Sequence, residues 1–204
     1  MNKKYIANAA KPIGELGKKR IAEMNEHHAP LVNWGFSFLT NCLESKCLDL
    51  GCGGGATISF LFQELNASFC CGLDHSKVAI EEARKKNAAS IEQGKCELIR
   101  GDVSSLPFAE GTFDLISAVE TIYFWPNPLQ ALQEAYRTLR PKGQIIIINE
   151  DDGNDKDKAS RLQGIMPTMK LYNESALTSL LIQAEFHSIK IHSNSSWIVA
   201  IGQK

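Results

Sequence analysis

The sequence lacks the features that mark several large classes of protein. Lys and Arg total 22 against 23 for Asp and Glu in 204 residues, so no net charge favours binding to a nucleic-acid backbone. No uncharged apolar run approaches the roughly 18 residues that suggest a membrane helix, and no apolar segment of signal-peptide length follows Met1. We therefore expect no nucleic-acid partner, no membrane segment and a cytoplasmic location.

Metal-binding spacings are also missing from the sequence. The six cysteines include no Cys-x-x-Cys pair, and neither they nor the five histidines fall at a recognisable zinc-ligand spacing. Several of the cysteines lie in predicted buried strands, where a thiol acts as a small apolar side chain. We therefore expect reduced thiols and no required metal.

The most informative segment that is present is 48–55, Leu-Asp-Leu-Gly-Cys-Gly-Gly-Gly. A buried strand runs into the alternating glycines Gly51, Gly53 and Gly55, and a helix is predicted over 56–65 from its apolar spacing. Glycine accepts a positive φ and lets the backbone approach a ligand closely. The succession of strand, glycine turn and helix predicts the start of a βαβ unit that binds a nucleotide-like ligand.

Carboxylates follow the next two predicted strands. The run 68–73 leads into Asp74, and the run 96–100 leads into Gly101-Asp102. In an open parallel sheet, ligands bind beyond the carboxyl ends of the strands. Asp74 is therefore placed to accept hydrogen bonds from ribose hydroxyls, and Asp102 to reach the exocyclic amine of an adenine. Either aspartate can instead be a helix N-cap.

The remaining pattern predicts alternating helices and strands. Apolar runs predict strands over 113–119, 143–149, 186–192 and 196–201, the last two joined by a turn at Ser193-Asn194-Ser195. Helical spacing predicts helices over 14–25, 31–43, 77–90, 128–139 and 174–184. The polar segment 150–172 has the composition of a loop or lid.

These motifs, in this order, resemble the class I S-adenosylmethionine-dependent methyltransferases over about residues 44–150. Besides 48–55, the resemblance rests on Gly72-Leu73-Asp74, Gly101-Asp102-Val103, Leu106-Pro107-Phe108, Phe113-Asp114-Leu115-Ile116 and Leu139-Arg140-Pro141-Lys142-Gly143-Gln144. Leu-Pro-Phe and Leu-Arg-Pro-Lys-Gly are most similar to the subgroup that methylates small molecules. The implied fold is α/β, a Rossmann-like, doubly wound, seven-stranded, mostly parallel sheet. Its terminal hairpin is antiparallel, with the final strand between strands five and six.

The resemblance also implies S-adenosylmethionine as cofactor and a role for particular residues. Asp49 and the glycines would hold the methionine end, Asp74 the ribose, and Asp102 with Val103 the adenine. The end of strand four would line the sulfonium side. The full implied set is Asp49, Gly51, Cys52, Gly53, Gly55, Asp74, His75, Asp102, Val103, Glu120, Thr121 and Ile122.

Segments outside the cofactor core are expected to select the acceptor. We expect a single domain over 1–204, with a helical cap (1–43), a cofactor-binding core (44–150), a lid or substrate loop (150–172) and a C-terminal helix and hairpin (173–204). Tyr123 and Trp125 are the candidate acceptor wall, and Trp34 from the cap can join it. An aromatic on an apolar helix face is also ordinary core, which is the alternative for Trp34.

The expected reaction is methyl transfer to a small molecule by in-line displacement, catalysed mainly by proximity and orientation. The sequence offers no clear base, and the candidates are His28, which can equally be a capping or exposed histidine, and Tyr123. Strand four is followed by Glu120-Thr121-Ile122-Tyr123 and not by the Asn/Asp-Pro-Pro-aromatic tetrad with which relatives that methylate amides and adenine amines hold a planar nitrogen. Adenine and glutamine side chains are therefore not expected as acceptors. Oxygen, amine, thiol and carbon acceptors stay open. The alternatives are a non-catalytic protein that binds S-adenosylmethionine or S-adenosylhomocysteine, and an NAD(P)-dependent oxidoreductase. A monomer and a homodimer are both compatible with the sequence.

Overall fold

The computed structural model describes residues 8–39 and 44–204. Expectations for residues 1–7 and 40–43, which include Cys42 and the end of the helix predicted over 31–43, lie outside the described residues. The five described cysteines are buried free thiols. Within the same residues, no helix has the length and apolar composition needed to cross a bilayer.

Seven strands form one sheet in the described part of the chain. In chain order they are β1 (Lys46–Leu50), β2 (Phe69–Asp74), β3 (Cys96–Arg100), β4 (Phe113–Val119), β5 (Leu139–Asn149), β6 (His187–Asn194) and β7 (Trp197–Gln203). Their order across the sheet is β3-β2-β1-β4-β5-β7-β6. The first five are parallel, whereas β7 pairs antiparallel with both β5 and β6. The structure confirms the predicted mostly parallel sheet, in which the last strand lies between the fifth and the sixth.

Helices cover both faces of this sheet. They are α1 (Gly14–His27), α2 (Ala29–Phe36), α3 (Ala56–Glu64), α4 (Lys77–Lys86), α5 (Ala88–Glu92), α6 (Pro128–Thr138), α7 (Lys156–Ile165) and α8 (Glu174–Gln183). A 3-10 turn, Ile122–Phe124, follows β4. Buried side chains of α6 and α8 pack on one face, and those of α2, α3 and α4 pack on the other.

Strand β5 explains how the core is divided. Ile145 and Ile147 pack with α6 and α8, while Ile146 and Ile148 pack with α2, α3 and α4. All four side chains are fully buried. Burying an isoleucine contributes on the order of 1.5 to 3 kcal/mol, so this run anchors the centre of the sheet and fixes its register.

Two helical segments differ from the prediction. The helix expected over 77–90 is split at Asn87, because the Asn87 amide donates to the carbonyl oxygens of Gly55 (3.0 Å) and Ala83 (3.1 Å). The loop expected over 150–172 contains helix α7, which begins where the Asp155 side chain accepts a hydrogen bond from the Lys158 N–H. An Asp N-cap satisfies an otherwise free donor at the start of a helix.

Other boundaries shift by a few residues. Helix α1 continues two residues beyond the predicted end, and α2 starts at Ala29 because Pro30 fits the first turn of a helix. Strand β6 continues to Asn194, so the hairpin turn lies at Ser195-Ser196, with Ser195 at a φ of 57°.

Candidate functional site

A cavity of about 500 Å³ lies beyond the carboxyl ends of the parallel strands. Because β1, β2, β3 and β4 are parallel neighbours, the segments that follow them meet at one edge of the sheet. Helix α1 and part of α7 complete the wall. The lining includes Gly51, Cys52, Gly53, Asp74, His75, Asp102, Val103, Glu120, Thr121, Tyr123, Trp125 and His28 from the predicted set.

The glycine turn has the backbone that the sequence predicts. Gly51, Gly53 and Gly55 have φ values of 73°, 51° and 75°. A Cβ on Gly51 would lie 2.0 Å from Thr121 Oγ1, whereas a Cβ on Gly53 would meet no heavy atom within 4 Å. Gly51 therefore allows close packing within the protein, and Gly53 leaves open space on the cavity side.

Asp74 connects the second strand to this turn. Its carboxylate is buried and accepts the backbone N–H groups of Gly53 (3.0 Å) and Ser76 (2.8 Å), one on each oxygen. A carboxylate has about four lone-pair directions, so Asp74 keeps acceptor capacity for a ligand. The neighbouring His75 ring bonds the Ala10 carbonyl (3.0 Å), which brings the segment before α1 to the cavity rim.

Three of the implied cofactor residues, Asp49, Gly55 and Ile122, lie outside the cavity lining. Asp49 is only 2% exposed and accepts a hydrogen bond from Ser117 Oγ (2.7 Å). Burial raises the pKa of Asp49 to about 7, against the hydrogen bond from Ser117, and the Asp74 charge raises it further. Gly55 is the N-cap of α3, and Ile122 is fully buried in the core. None of the three belongs to the cavity lining.

Part of the cavity lining is aromatic and apolar. Tyr123 and Trp125 line it together with Met166 and Met169. The Trp125 indole N–H donates to Thr121 Oγ1 (3.2 Å), which fixes the ring beside the glycine turn. Trp34, by contrast, lies outside this lining, because α2 packs on the face of the sheet that carries Ile146 and Ile148. There its ring packs against Phe38 and Trp197, at centroid distances of 5.2 and 5.8 Å.

Buried polar groups adjoin the aromatic wall. The Tyr123 hydroxyl donates to Glu120 Oε1 (2.9 Å) and accepts from the Asp151 N–H (3.2 Å), and the Glu150 N–H also donates to Glu120 Oε1. Burial raises the pKa of Glu120 to about 7 against these hydrogen bonds, and the nearby Glu150 and Asp151 carboxylates add to the rise. Burial also raises the pKa of Tyr123 well above its ordinary value.

His28 lies opposite these carboxylates, between α1 and α2. Its Nε2 is 3.6 Å from Glu120 Oε2 and 3.8 Å from Glu150 Oε2, and its side chain is 17% exposed. Burial lowers the pKa of His28 to about 4 despite the Glu150 charge, so the ring is neutral near pH 7. The sequence suggested a capping or exposed histidine as the alternative, and the structure places His28 at a helix junction on the cavity wall.

Sequence reasoning missed four residues of this wall. His27 Nε2 is 2.8 Å from Glu150 Oε1, and Lys158 Nζ is 2.6 Å from Asp151 Oδ2. The sequence could have indicated Glu150, because it directly follows β5 as Glu120 directly follows β4.

The cavity lining carries more carboxylates than cations. Such a lining favours a ligand that carries positive charge.

Comparisons with known proteins agree with this geometry. Residues 48–147 match the family model described as a methyltransferase domain. Cycloartenol-C-24-methyltransferase 1 of Oryza sativa subsp. japonica is 31% identical over 105 residues, which are 52% of this chain and 30% of that protein. The ubiquinone/menaquinone biosynthesis C-methyltransferase UbiE of Roseobacter denitrificans is 34% identical over 104 residues, 50% of this chain and 41% of that protein. The chain therefore spans less than half the length of these two relatives.

A solved structure matches over nearly the whole chain. It is the putative methyltransferase in a complex with the Haloferax volcanii Trm112 methyltransferase activator, with a TM-score of 0.81 and 17% sequence identity. The match covers 90% of this chain and 92% of that one. At this identity the likeness establishes the fold.

Proposed function

We propose that this chain, a class I S-adenosylmethionine-dependent methyltransferase, transfers the methyl group of S-adenosylmethionine to a small-molecule acceptor. The observation that carries the proposal is the meeting of Gly53, Asp74 and Asp102 at one cavity beyond the ends of β1, β2 and β3. Its volume of about 500 Å³ is within the roughly 300 to 1,000 Å³ typical of small-molecule sites.

The lining fits the adenosyl part of the cofactor. The open space at Gly53 is a cradle that a Cβ would fill, and the remaining lone pairs of Asp74 can accept both ribose hydroxyls. Asp102 and Val103, which follow β3 on the same edge, are the residues for the adenine. When bound, S-adenosylmethionine supplies a methyl group already activated by the positive sulfur.

The aromatic part of the cavity lining suits the acceptor. Tyr123 and Trp125 present rings beside the turn after β4, and aromatic faces stabilise cations such as a sulfonium. Holding the acceptor in line with the bond that breaks supplies much of the rate of such a transfer. Met166 and Met169 add flexible apolar surface, which accommodates acceptors of different shape.

The wall and the relatives both support a class of acceptor. The relatives described above are named for cycloartenol and for ubiquinone/menaquinone biosynthesis, which supports a small molecule as acceptor here. An aromatic and methionine-lined wall favours an acceptor with a substantial apolar part, and the polar group formed by Glu120, Tyr123 and Glu150 favours one with a polar end.

A binding experiment and a turnover experiment test this proposal. Calorimetric titration with S-adenosylmethionine, S-adenosylhomocysteine and NAD should give heat of binding for the first two only. A labelled-methyl assay against a library of small metabolites, with quinols, phenols, sterols and amines represented, should then give labelled product. Trp34→Ala, outside the cavity, is the control for Trp125→Ala, and only the second should lower turnover more than it lowers cofactor affinity.

Each alternative function predicts a different result. Binding of NAD without either adenosyl compound would identify an oxidoreductase and contradict the proposal. Tight binding of the adenosyl compounds with no turnover across the library would identify a non-catalytic binding protein.

A further inference from the structure

Two histidines and a glutamate meet at the wall of the cavity. His27 and His28 end helix α1 and begin α2, and Glu150 directly follows β5. One ligand atom from each of these three residues lies within 4.8 Å of the other two. We call this group the His-Glu cluster. All three residues also line the cavity described above.

The distances within the His-Glu cluster are near those between the ligands of one metal ion. His27 Nε2 is 2.8 Å from Glu150 Oε1, and His28 Nε2 is 3.8 Å from Glu150 Oε2. In a tetrahedral zinc site with bonds of about 2.0 to 2.1 Å, neighbouring donor atoms lie about 3.3 Å apart. The two observed separations, each to a different oxygen of Glu150, lie on either side of this value, so side-chain rotation is needed to bring the donors to one ion.

A fourth group stands beside the cluster and is held in place. Glu120 Oε2 is 3.6 Å from His28 Nε2, while Glu120 Oε1 accepts hydrogen bonds from the Tyr123 hydroxyl and the Glu150 N–H. Partners of this kind orient carboxylates in metal sites. Glu120 and Glu150 follow adjacent parallel strands, so the backbone fixes their separation.

The local charge also favours a cation. Within residues 8–39 and 44–204, Glu120 and Glu150 lie within 4 Å of the His27 and His28 rings, and the ammonium of Lys158 pairs with Asp151. Two carboxylates thus lie together on a partly buried wall. A divalent ion offsets their mutual repulsion directly.

We propose that His27, His28 and Glu150 bind a divalent transition metal such as zinc, with Glu120 beside the ion. Imidazole and carboxylate together suit zinc and neighbouring first-row metals. Three protein ligands leave one position open, as in catalytic zinc sites, and this site is on the cavity wall. In a consequence that rests on the proposed function, an acceptor oxygen occupies the open position. The cluster was not expected from the sequence, because adjacent histidines and a glutamate more than a hundred residues away form no known zinc spacing.

Metal titration of the chelator-treated protein, with any affinity tag removed, tests the proposal without the cofactor. Zn²⁺ added in competition with a chromophoric chelator should bind at one equivalent per chain. His27→Gln and Glu150→Gln should each weaken that binding by about tenfold or more. The matched control is His187→Gln, an exposed histidine on β6, which should bind as the wild type does. The His27 side chain is 64% exposed, so its variant should keep the fold, as circular dichroism checks.

Cobalt substitution identifies the ligands. A Co²⁺ spectrum without thiolate charge transfer, lost in His27→Gln, supports the His-Glu cluster. Thiolate charge transfer would place the ion on cysteine and overturn the proposal. Equal affinity in His27→Gln, Glu150→Gln and wild type would overturn it too, as would failure of the wild type to bind either ion. The affinity for S-adenosylhomocysteine is measured in a separate titration. A loss of metal binding can then be told apart from a loss of cofactor binding.

Discussion

Gly53 and Gly94 form a matched pair at the scale of single residues. Their φ values are 51° and 69°, and a Cβ added to either would meet no heavy atom within 4 Å. Alanine at either position should therefore lower folding stability by a similar amount, roughly 1 to 2 kcal/mol, through backbone strain. Only Gly53 lines the cavity. We expect Gly53→Ala to weaken S-adenosylhomocysteine binding by about tenfold or more, and Gly94→Ala to leave it unchanged.

Calorimetry of both alanine variants measures the affinity, and urea unfolding checks that they lose similar stability. Equal affinity in the two variants would mean that the open space at Gly53 is not used by the cofactor.

Asp74 gives a second residue-scale prediction. Asp74→Ala removes a charged acceptor and should weaken cofactor binding by about 1.5 to 3 kcal/mol. It also releases the Gly53 N–H, so part of the loss comes through the glycine turn. Asp157→Ala, an exposed aspartate on α7 outside the lining, is the control in the same titration. Unchanged affinity in Asp74→Ala would remove this residue from the site.

Asp49 makes folding depend on pH. Its pKa rises from an ordinary 3.8 to about 7 because the carboxyl is buried. The folded protein therefore holds a proton that the unfolded chain releases between about pH 4 and pH 7. The stabilising contribution is complete below about pH 4 and is lost as the pH rises to about 7.

Asp49→Asn should remove this dependence, because an amide keeps an oxygen acceptor for Ser117 and carries no charge. We expect the variant to be more stable than wild type at pH 8 by as much as a few kcal/mol, and the difference to shrink towards pH 4. Urea unfolding of both proteins between pH 4 and pH 8 measures the difference in their free energies of unfolding. The titration of other groups, such as Glu120, affects both proteins alike and cancels in that difference. A constant difference would contradict the raised pKa.

At the scale of elements, helix α1 forms one wall of the cavity. A Cβ on Gly54 would lie 2.3 Å from Ile21 Cγ2 and 2.8 Å from Asn25 Nδ2, so α1 rests directly on the glycine turn. Hydrogen bonds from Ser76 to the Pro12 carbonyl and between His75 and Ala10 hold the segment before it. Helix α7 closes the opposite side through Lys158 and Leu162.

Limited trypsin digestion tests whether these helices respond to the cofactor. We expect S-adenosylhomocysteine to slow cleavage at Lys19 in α1 and Arg161 in α7, since ligand contacts oppose local opening. Cleavage at the exposed Lys85 in α4, outside the cavity, is the internal control. Equal cutting at all three sites with and without ligand would show that α1 and α7 do not cover it.

Elements differ in how far the sequence predicts them. Strands β1 to β5 each contain a short apolar stretch, such as the four isoleucines of β5, so their approximate positions and the carboxylates at their ends follow from the sequence. Helix α7 has no fully buried side chain, so its sequence shows little of the apolar periodicity that predicts a helix. Its Asp155 N-cap is the main sequence signal for it. The His-Glu cluster depends on the packing of α2 on β5, which brings the junction of α1 and α2 to Glu150, and this contact leaves no local signal in the sequence.

At the scale of the whole molecule, the strand order places the cavity. The chain runs outward from β1 through β2 to β3, then returns to β4 on the other side of β1. The helices leave the sheet in opposite directions at this reversal, which opens a crevice at the ends of β1 and β4. The glycine turn and Glu120-Thr121 meet there, which explains why residues about 70 positions apart share one site.

A crystal structure of the protein bound to S-adenosylhomocysteine would show directly where the cofactor binds. We expect the ribose hydroxyls at Asp74, the adenine beside Asp102 and Val103, and the sulfur facing Tyr123 and Trp125. A nucleoside bound elsewhere, or in this cavity with its ribose away from Asp74, would contradict this expectation.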